Sequence, residues 1–138
     1  MAVALVFILC GCSWGQNEEN ITPSVEGVAF LVVDNSLSTS GISLCVENKL
    51  DNVVSVGPWY RVDKFSDGKW SAVEPLDGVT WMQDDWLRII FNNSSEIIEY
   101  SWKWFLGELP SGEYRIIVEL DIPEQGKFQI VGAMFFIP

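Results

Sequence analysis

The residues of this chain that could do chemistry are two adjacent carboxylates, Asp84 and Asp85, and the tryptophans on either side of them, Trp81 and Trp86. Adjacent carboxylates can help to hold a calcium ion when other oxygen ligands converge on them. The alternating acidic series of a calcium loop does not occur here, so the spacing favours a solvated loop without a metal. Tryptophans on a surface, in contrast, stack against sugars and are common at interfaces. We therefore take these four residues as the candidate ligand-binding residues.

The composition argues against catalysis. The 138 residues include no histidine, which removes the commonest general base and the commonest zinc ligand. Neither a Ser-His-Asp nor a Cys-His arrangement can form, and no phosphate-binding loop, Cys-x-x-Cys motif or dinucleotide fingerprint occurs. We expect a protein that is not an enzyme and has no cofactor or metal. The net charge of −11 also makes nucleic acid a poor partner.

An apolar leader opens the sequence. Residues 1–9 are too short a run to cross a bilayer as a helix and have the length of a signal-peptide core. The motif Leu-Cys-Gly-Cys at 9–12 resembles the bacterial lipobox. This resemblance implies that residues 1–12 are a lipoprotein signal peptide, that Cys12 is lipidated, and that the acyl chains hold the protein on the outer face of the bacterial membrane. A plain secretory signal or a buried strand is the alternative.

The rest of the chain divides into a tether and one domain. Residues 13–24 are mostly polar, with a proline near their end, which is typical of a short linker. Residues 25–138 suit a single domain. Their strand-like segments recur about every ten residues and no segment has a sustained helical period. These segments are 27–34, 42–46, 53–56, 59–65, 70–73, 86–91, 98–104, 114–121 and 127–137. They predict an all-β sandwich of seven to nine antiparallel strands in two sheets.

Alternation within these segments predicts which side chains face the core. In 86–91 the apolar set is Leu87, Ile89 and Phe91, which leaves Trp86 on the polar side. In 42–46 the alternation directs Cys45 away from the core. The segment 98–104 is predicted as one continuous strand, whose apolar face includes Trp102 as a core residue.

The spacing Leu-Pro-Ser-Gly-Glu-Tyr at 109–114 is typical of a tyrosine corner, in which a phenol hydroxyl bonds to backbone upstream and holds a connection between two sheets. We expect the ring of Tyr114 to be buried and its hydroxyl to bond near Leu109 or Pro110. Gly112 is the residue in this turn that can adopt a positive φ angle. Asp67 and Gly68 predict a tight hairpin earlier in the chain.

Three segments carry a family resemblance: Gly-Ile-Ser-Leu-Cys-Val-Glu-Asn at 41–48, Val-Asp-Lys-Phe-Ser-Asp-Gly-Lys-Trp at 62–70, and Trp102 followed by Gly-Glu-Leu-Pro-Ser-Gly-Glu-Tyr-Arg-Ile at 107–116. They resemble the bacterial immunoglobulin-like domain of many firmicute lipoproteins and membrane-anchored proteins. The resemblance runs from about residue 25 to the end, implies an extracytoplasmic immunoglobulin-like sandwich, and brings no catalytic residues. Ile116 stands where antibody-type domains carry a cysteine, so Cys45 is expected to be a free thiol.

The expected function is therefore binding, adhesion or scaffolding at the cell envelope. The partners would be the lipid bilayer, through the anchor, and a protein or glycan that the sequence does not identify. The alternative is a protease inhibitor of the same fold, which would present the long loop at 75–85 to a protease cleft.

Overall fold

The computed structural model describes residues 20–81 and 85–138, and nine strands and one short helix lie within these ranges. The elements are β1 (Ile21–Thr22), β2 (Val28–Val32), β3 (Gly41–Asn48), β4 (Val54–Ser66), β5 (Lys69–Ala72), β6 (Arg88–Ile90), β7 (Ser94–Ser101), α1 (Lys103–Leu106), β8 (Gly112–Ile122) and β9 (Gly126–Ile137). The leader with Cys10 and Cys12, most of the predicted tether, and Asp84 lie outside the described residues. No helix in the described ranges is long and apolar enough to cross a membrane.

The strands form two sheets, as the alternating pattern predicts. The larger sheet has the order β1-β9-β8-β4-β5, with β6 also paired to β4, and the smaller sheet has the order β2-β3-β7. All pairings between these strands are antiparallel except that of the short β1, which runs parallel to β9. The inward side chains of both sheets form one apolar core.

Alternation places the core residues of β3 as predicted. Ile42, Leu44 and Val46 are buried, whereas Cys45 is half-exposed and is a free thiol. Ile116 of β8 is also fully buried in this core. Aliphatic packing therefore occupies the level at which antibody-type domains place their inter-sheet disulfide.

Two strand predictions need correction. The segments 53–56 and 59–65 are parts of one long strand, β4, with a shift of register between Val56 and Tyr60 opposite β8. The segment 98–104 is not one strand, because β7 ends at Ser101 and Trp102 begins the turn into α1. Trp102 is fully buried, as predicted, but Trp104 lies on α1 with 44% of its surface exposed.

The tyrosine corner connects β7 and α1 to β8. The ring of Tyr114 is buried and its hydroxyl donates to the Pro110 carbonyl at 2.6 Å, which is the contact that the spacing predicts. This ring stacks on Phe135, which stacks in turn on Trp102. The indole Nε1–H of Trp102 donates to the Thr39 carbonyl at 3.0 Å. Rings and hydrogen bonds thus tie both sheets to the connection that crosses between them.

Two glycines that the sequence places in turns have positive φ angles, as predicted. Asp67 and Gly68 have φ angles of 54° and 80°, the positive values that a tight hairpin between β4 and β5 requires. Gly112 has a φ of 154° at the start of β8. A bulge occurs at Gly132, because the β8–β9 register shifts there, and a Cβ at this position would lie 2.9 Å from Leu44 Cδ1.

Candidate ligand-binding site

The candidate site lies beside a gap in the strand pairing of β4, on the edge of β4 that faces away from β8. Residues 54–56 of this edge pair with β6, and residues 63–66 pair with β5. Between them, no strand of the described chain pairs with β4 on that side, although the Val62 carbonyl accepts from the Val73 N–H at 2.9 Å. Trp81 and Trp86, from the described parts of the loop between β5 and β6, line one cavity with Tyr60 of this strand.

At this gap lies a cavity of about 270 Å³, which we call the aromatic cleft. Most of its walls are aromatic rings that come from four separate parts of the chain. Its lining residues are Pro58, Tyr60, Trp81, Trp86, Glu99, Tyr100, Ser101 and Trp104. The cleft lies between the two sheets, since Tyr60 belongs to β4 and Tyr100 to β7.

The rings that contact Tyr60 meet it at steep angles. Tyr60 contacts Trp81 edge to face, with centroids 5.0 Å apart and planes at 82°, and contacts Tyr100 at 5.4 Å and 70°. The Trp81 and Trp104 ring centroids lie 5.8 Å apart, with their planes inclined at 34°. The Tyr60 hydroxyl donates to the Ser101 carbonyl at 3.2 Å and so bridges the two sheets. Such contacts form a pit with aromatic walls on several sides.

Two of the side chains that line the cleft each carry a polar atom without a hydrogen-bond partner. Trp81 Nε1 and the Tyr100 hydroxyl are each buried, and neither forms a hydrogen bond within the described chain. Buried polar groups are nearly always paired, so an exception of this kind calls for an explanation. Both side chains line the aromatic cleft, and the cleft is the space from which a ligand could supply the missing partners.

Burial keeps the phenols of the cleft in their neutral form. Desolvation raises the pKa of Tyr60 from 10.0 to about 12. It also raises the pKa of Tyr100, although the Arg88 guanidinium opposes part of that effect. At neutral pH the Tyr100 hydroxyl can therefore donate as well as accept a hydrogen bond.

The structure brings two of the four predicted ligand-binding residues together. Trp81 and Trp86 both line the aromatic cleft. Asp85 is exposed and is not among the lining residues, and Asp84 lies outside the described residues. Within 20–81 and 85–138, no group of three or more histidine, cysteine or acidic residues could hold a metal ion.

Trp86 reaches the cleft because β6 faces the opposite way from the prediction. Ile90 is the fully buried residue of this strand, whereas Leu87 and Phe91 each expose 62% of their surface and Ile89 is also exposed. Ile90 lies opposite the buried Val54 in the β4 pairing, which directs its side chain into the core. Trp86, two residues before β6 begins, is partly buried and packs against the same core.

Sequence reasoning missed the other residues of the cleft. The sequence analysis does not predict Tyr60, Tyr100, Trp104 or Glu99 as site residues. Tyr60 and Tyr100 also belong to the core, with 7% and 4% of their surface exposed. The available signal was the density of aromatic residues on both sides of the 75–85 loop. It could not be used without knowing that β4 leaves a gap in its edge pairing.

A second set of residues outside the cleft is structural. Asp63 is 2% exposed and accepts hydrogen bonds from Arg61 at 2.8 and 3.0 Å and from Arg115 Nε at 2.9 Å. The Arg115 guanidinium lies over the ring of Trp70, 4.6 Å from its centroid. These contacts join β4, β5 and β8 on the outer face of the large sheet. Their polar groups satisfy one another, in contrast to Trp81 Nε1 and the Tyr100 hydroxyl.

Comparison with known proteins agrees with the two-sheet fold. The search of curated proteins finds no match. The family model described as "Bacterial Ig-like domain" matches residues 24–130. Since this match spans more than half of the 138 residues, the chain belongs to the family of bacterial Ig-like domains.

Proposed function

We propose that the protein is a lipid-anchored, non-enzymatic binding module on the outer face of the bacterial cell membrane, and that it binds its partner in the aromatic cleft. The family points to a surface or adhesion-type module. The lipobox-like motif ending at Cys12 and the short polar segment after it support an anchor close to the membrane. The absence of histidine from the sequence is in keeping with binding rather than catalysis.

The observation that carries this proposal is the pair of unpartnered polar atoms in the cleft. Most of a sandwich surface consists of flat sheet faces, whereas ligand sites are concave, mostly apolar and furnished with a few polar groups. The aromatic cleft has this character, with Trp81 Nε1 and the Tyr100 hydroxyl as its unused polar groups.

The loop geometry favours binding in the cleft over protease inhibition. An inhibitory loop needs to project from the domain so that a protease can receive it. Here the Leu76 N–H donates to the Phe105 carbonyl at 2.9 Å, and Trp81 contacts the Phe105 ring at 5.2 Å. These contacts hold the described part of the loop against α1.

The anchor is tested by expressing the full chain in a firmicute host and separating detergent and aqueous phases. We expect Cys12→Ala to move the protein to the aqueous phase or to leave an uncleaved precursor. Cys10→Ala is the matched control, because it removes a neighbouring thiol and keeps the acyl acceptor. Unchanged detergent partitioning of Cys12→Ala would contradict the lipid anchor.

The binding role is tested by co-sedimentation of the full-length protein, held in a polyoxyethylene detergent, with envelope fragments from that host. We expect Trp104→Ala to weaken retention roughly tenfold, since truncating an aromatic anchor often costs more than 1 kcal/mol. Phe136→Ala is the control, because Phe136 is an exposed aromatic residue outside the cleft. Absence of retention, or equal retention of both variants, would refute the role of the cleft.

A further inference from the structure

We propose that the ligand of the aromatic cleft is a neutral sugar ring, an inference that rests on the proposed function and names the ligand class of the same site. A pyranose ring presents C–H groups on its faces and hydroxyls around its rim. The faces can pack against Tyr60, Trp81, Trp86 and Trp104, while the hydroxyls can bond to polar groups between these rings. The cavity of about 270 Å³ suits a small ligand.

The unpartnered atoms define what the ligand must offer. Trp81 Nε1–H can only donate, so it needs an acceptor, whereas the Tyr100 hydroxyl can donate and accept. A sugar hydroxyl or acetamido group supplies both kinds of partner from one small ring. Each of the two atoms exposes less than 1 Å², so the rings around them must part slightly when the ligand enters. Binding should therefore change the tryptophan fluorescence.

The charges around the cleft favour a neutral sugar over an anionic one. Glu99 contributes a carboxylate to the lining. Burial raises the pKa of Tyr100 and the positive charge of Arg88 acts to lower it, but the Arg88 guanidinium donates to the Ile97 carbonyl at 2.7 Å and lies 3.8 Å from the Glu96 carboxylate. With a net charge of −11 on the whole chain, uronic acids and phosphate-bearing polymers would be repelled.

Two other ligand classes fit less well. A quaternary ammonium group would suit the aromatic walls and Glu99, but it has no hydrogen-bonding atom for Trp81 or Tyr100. A proline-rich peptide needs a groove between roughly parallel aromatic ridges. Trp81 and Trp104 are inclined at only 34°, but Trp81 and Tyr100 stand at 82° and 70° to the Tyr60 ring between them, which is not the arrangement of such a groove.

The co-sedimentation assay distinguishes a sugar from a protein ligand when the envelope fragments are treated beforehand. Periodate cleaves the vicinal diols of hexose polymers, a muramidase cleaves the amino-sugar chains of peptidoglycan, which lack vicinal diols, and a broad-specificity protease digests proteins. We expect periodate or muramidase to abolish the retention that depends on Trp104 and protease to leave it unchanged. Loss after protease but after neither periodate nor muramidase would overturn the sugar and leave the binding role of the cleft intact. Failure of untreated fragments to retain the protein would instead refute the proposed function.

Calorimetric titration then tests charge and chemistry directly on the full-length protein. The probes are neutral oligosaccharides of glucose, mannose or N-acetylglucosamine, with polygalacturonate as the anionic counterpart. The detergent must not be an alkyl glycoside, which would compete. We expect saturable binding of a neutral probe that is roughly tenfold weaker in Trp104→Ala and unchanged in Phe136→Ala. Equal or tighter binding of polygalacturonate would overturn the preference for a neutral ring.

Discussion

Two pairs of aromatic side chains, one in the tyrosine corner and one in the aromatic cleft, differ in how their polar tips are satisfied. In the corner, the Tyr114 hydroxyl donates to the Pro110 carbonyl and Trp102 Nε1 donates to the Thr39 carbonyl. In the cleft, the Tyr100 hydroxyl and Trp81 Nε1 are buried without a partner. The residue types are the same in both places, so the difference lies in what surrounds them.

This difference separates a contribution to stability from a contribution to binding. A paired buried hydroxyl stabilises the fold modestly, whereas an unpaired one costs free energy that the folded protein must offset elsewhere. Strained or unsatisfied groups that persist in a native structure are concentrated at functional sites. We therefore interpret the corner as the part of the molecule that holds the sheets together and the cleft as the part that receives a ligand.

The largest effect is expected at the corner. Tyr114→Ala removes a fully buried ring that stacks on Phe135 and should lower the free energy of unfolding by roughly 3–5 kcal/mol. Urea unfolding followed by circular dichroism measures this loss. Trp104→Ala is the control in the cleft, because its side chain is 44% exposed and its loss should cost less. Equal unfolding midpoints for the two variants would remove the distinction between the regions.

A smaller effect is expected at the turn before the corner tyrosine. Gly112→Val places a β-branched side chain at a φ of 154°, which should cost roughly 1–3 kcal/mol. The nearest obstacle to a Cβ is Lys64 Cε at 2.9 Å, and this flexible side chain can move aside, so the backbone should dominate the cost. Ser111→Val changes the neighbouring exposed residue and is the matched control. An unchanged midpoint for Gly112→Val would show that the turn tolerates a side chain.

The tyrosine corner could be predicted from the sequence, because the residues that indicate it lie close together along the chain. The Leu-Pro-Ser-Gly-Glu-Tyr spacing predicts the Tyr114 hydrogen bond, Asp67 and Gly68 predict the hairpin, and alternation predicts the burial in β3. Each of these depends on residues within a few positions of one another. The family resemblance over the same segments pointed to the immunoglobulin-like fold.

The cleft was not accessible in this way, because it depends on contacts between distant segments. Its rings come from β4, the loop before β6, β7 and α1. The orientation of β6 was predicted wrongly because its two faces are both rich in apolar residues, so alternation alone could not choose between Ile89 and Ile90. The pairing of Ile90 with Val54 decides the orientation, and only the tertiary structure supplies that pairing.

Alkaline titration of the tyrosine hydroxyls tests their burial in both regions. We expect no effect on stability at neutral pH. The chain has three tyrosines, and burial raises the pKa of Tyr60, Tyr100 and Tyr114 above 10.0. Their contribution to stability is fully present below pH 10 and is lost as the pH rises from 10 towards 12, because the unfolded phenols ionise first. Absorbance at phenolate wavelengths should therefore remain low at pH 10 in the native protein but rise there in denaturant. Phenolate formation near pH 10 in the native state would show that these hydroxyls are not desolvated.

The most direct test of the account compares Tyr100→Phe with Tyr114→Phe in two measurements, the free energy of unfolding and retention by envelope fragments. Tyr114→Phe should lower stability by about 1 kcal/mol and leave retention unchanged, because it removes a paired hydroxyl far from the ligand. Tyr100→Phe should leave stability unchanged or raise it, because it removes an unpaired hydroxyl, and should weaken retention roughly threefold to tenfold. Loss of stability in Tyr100→Phe together with normal retention would contradict the assignment of the aromatic cleft as the binding site.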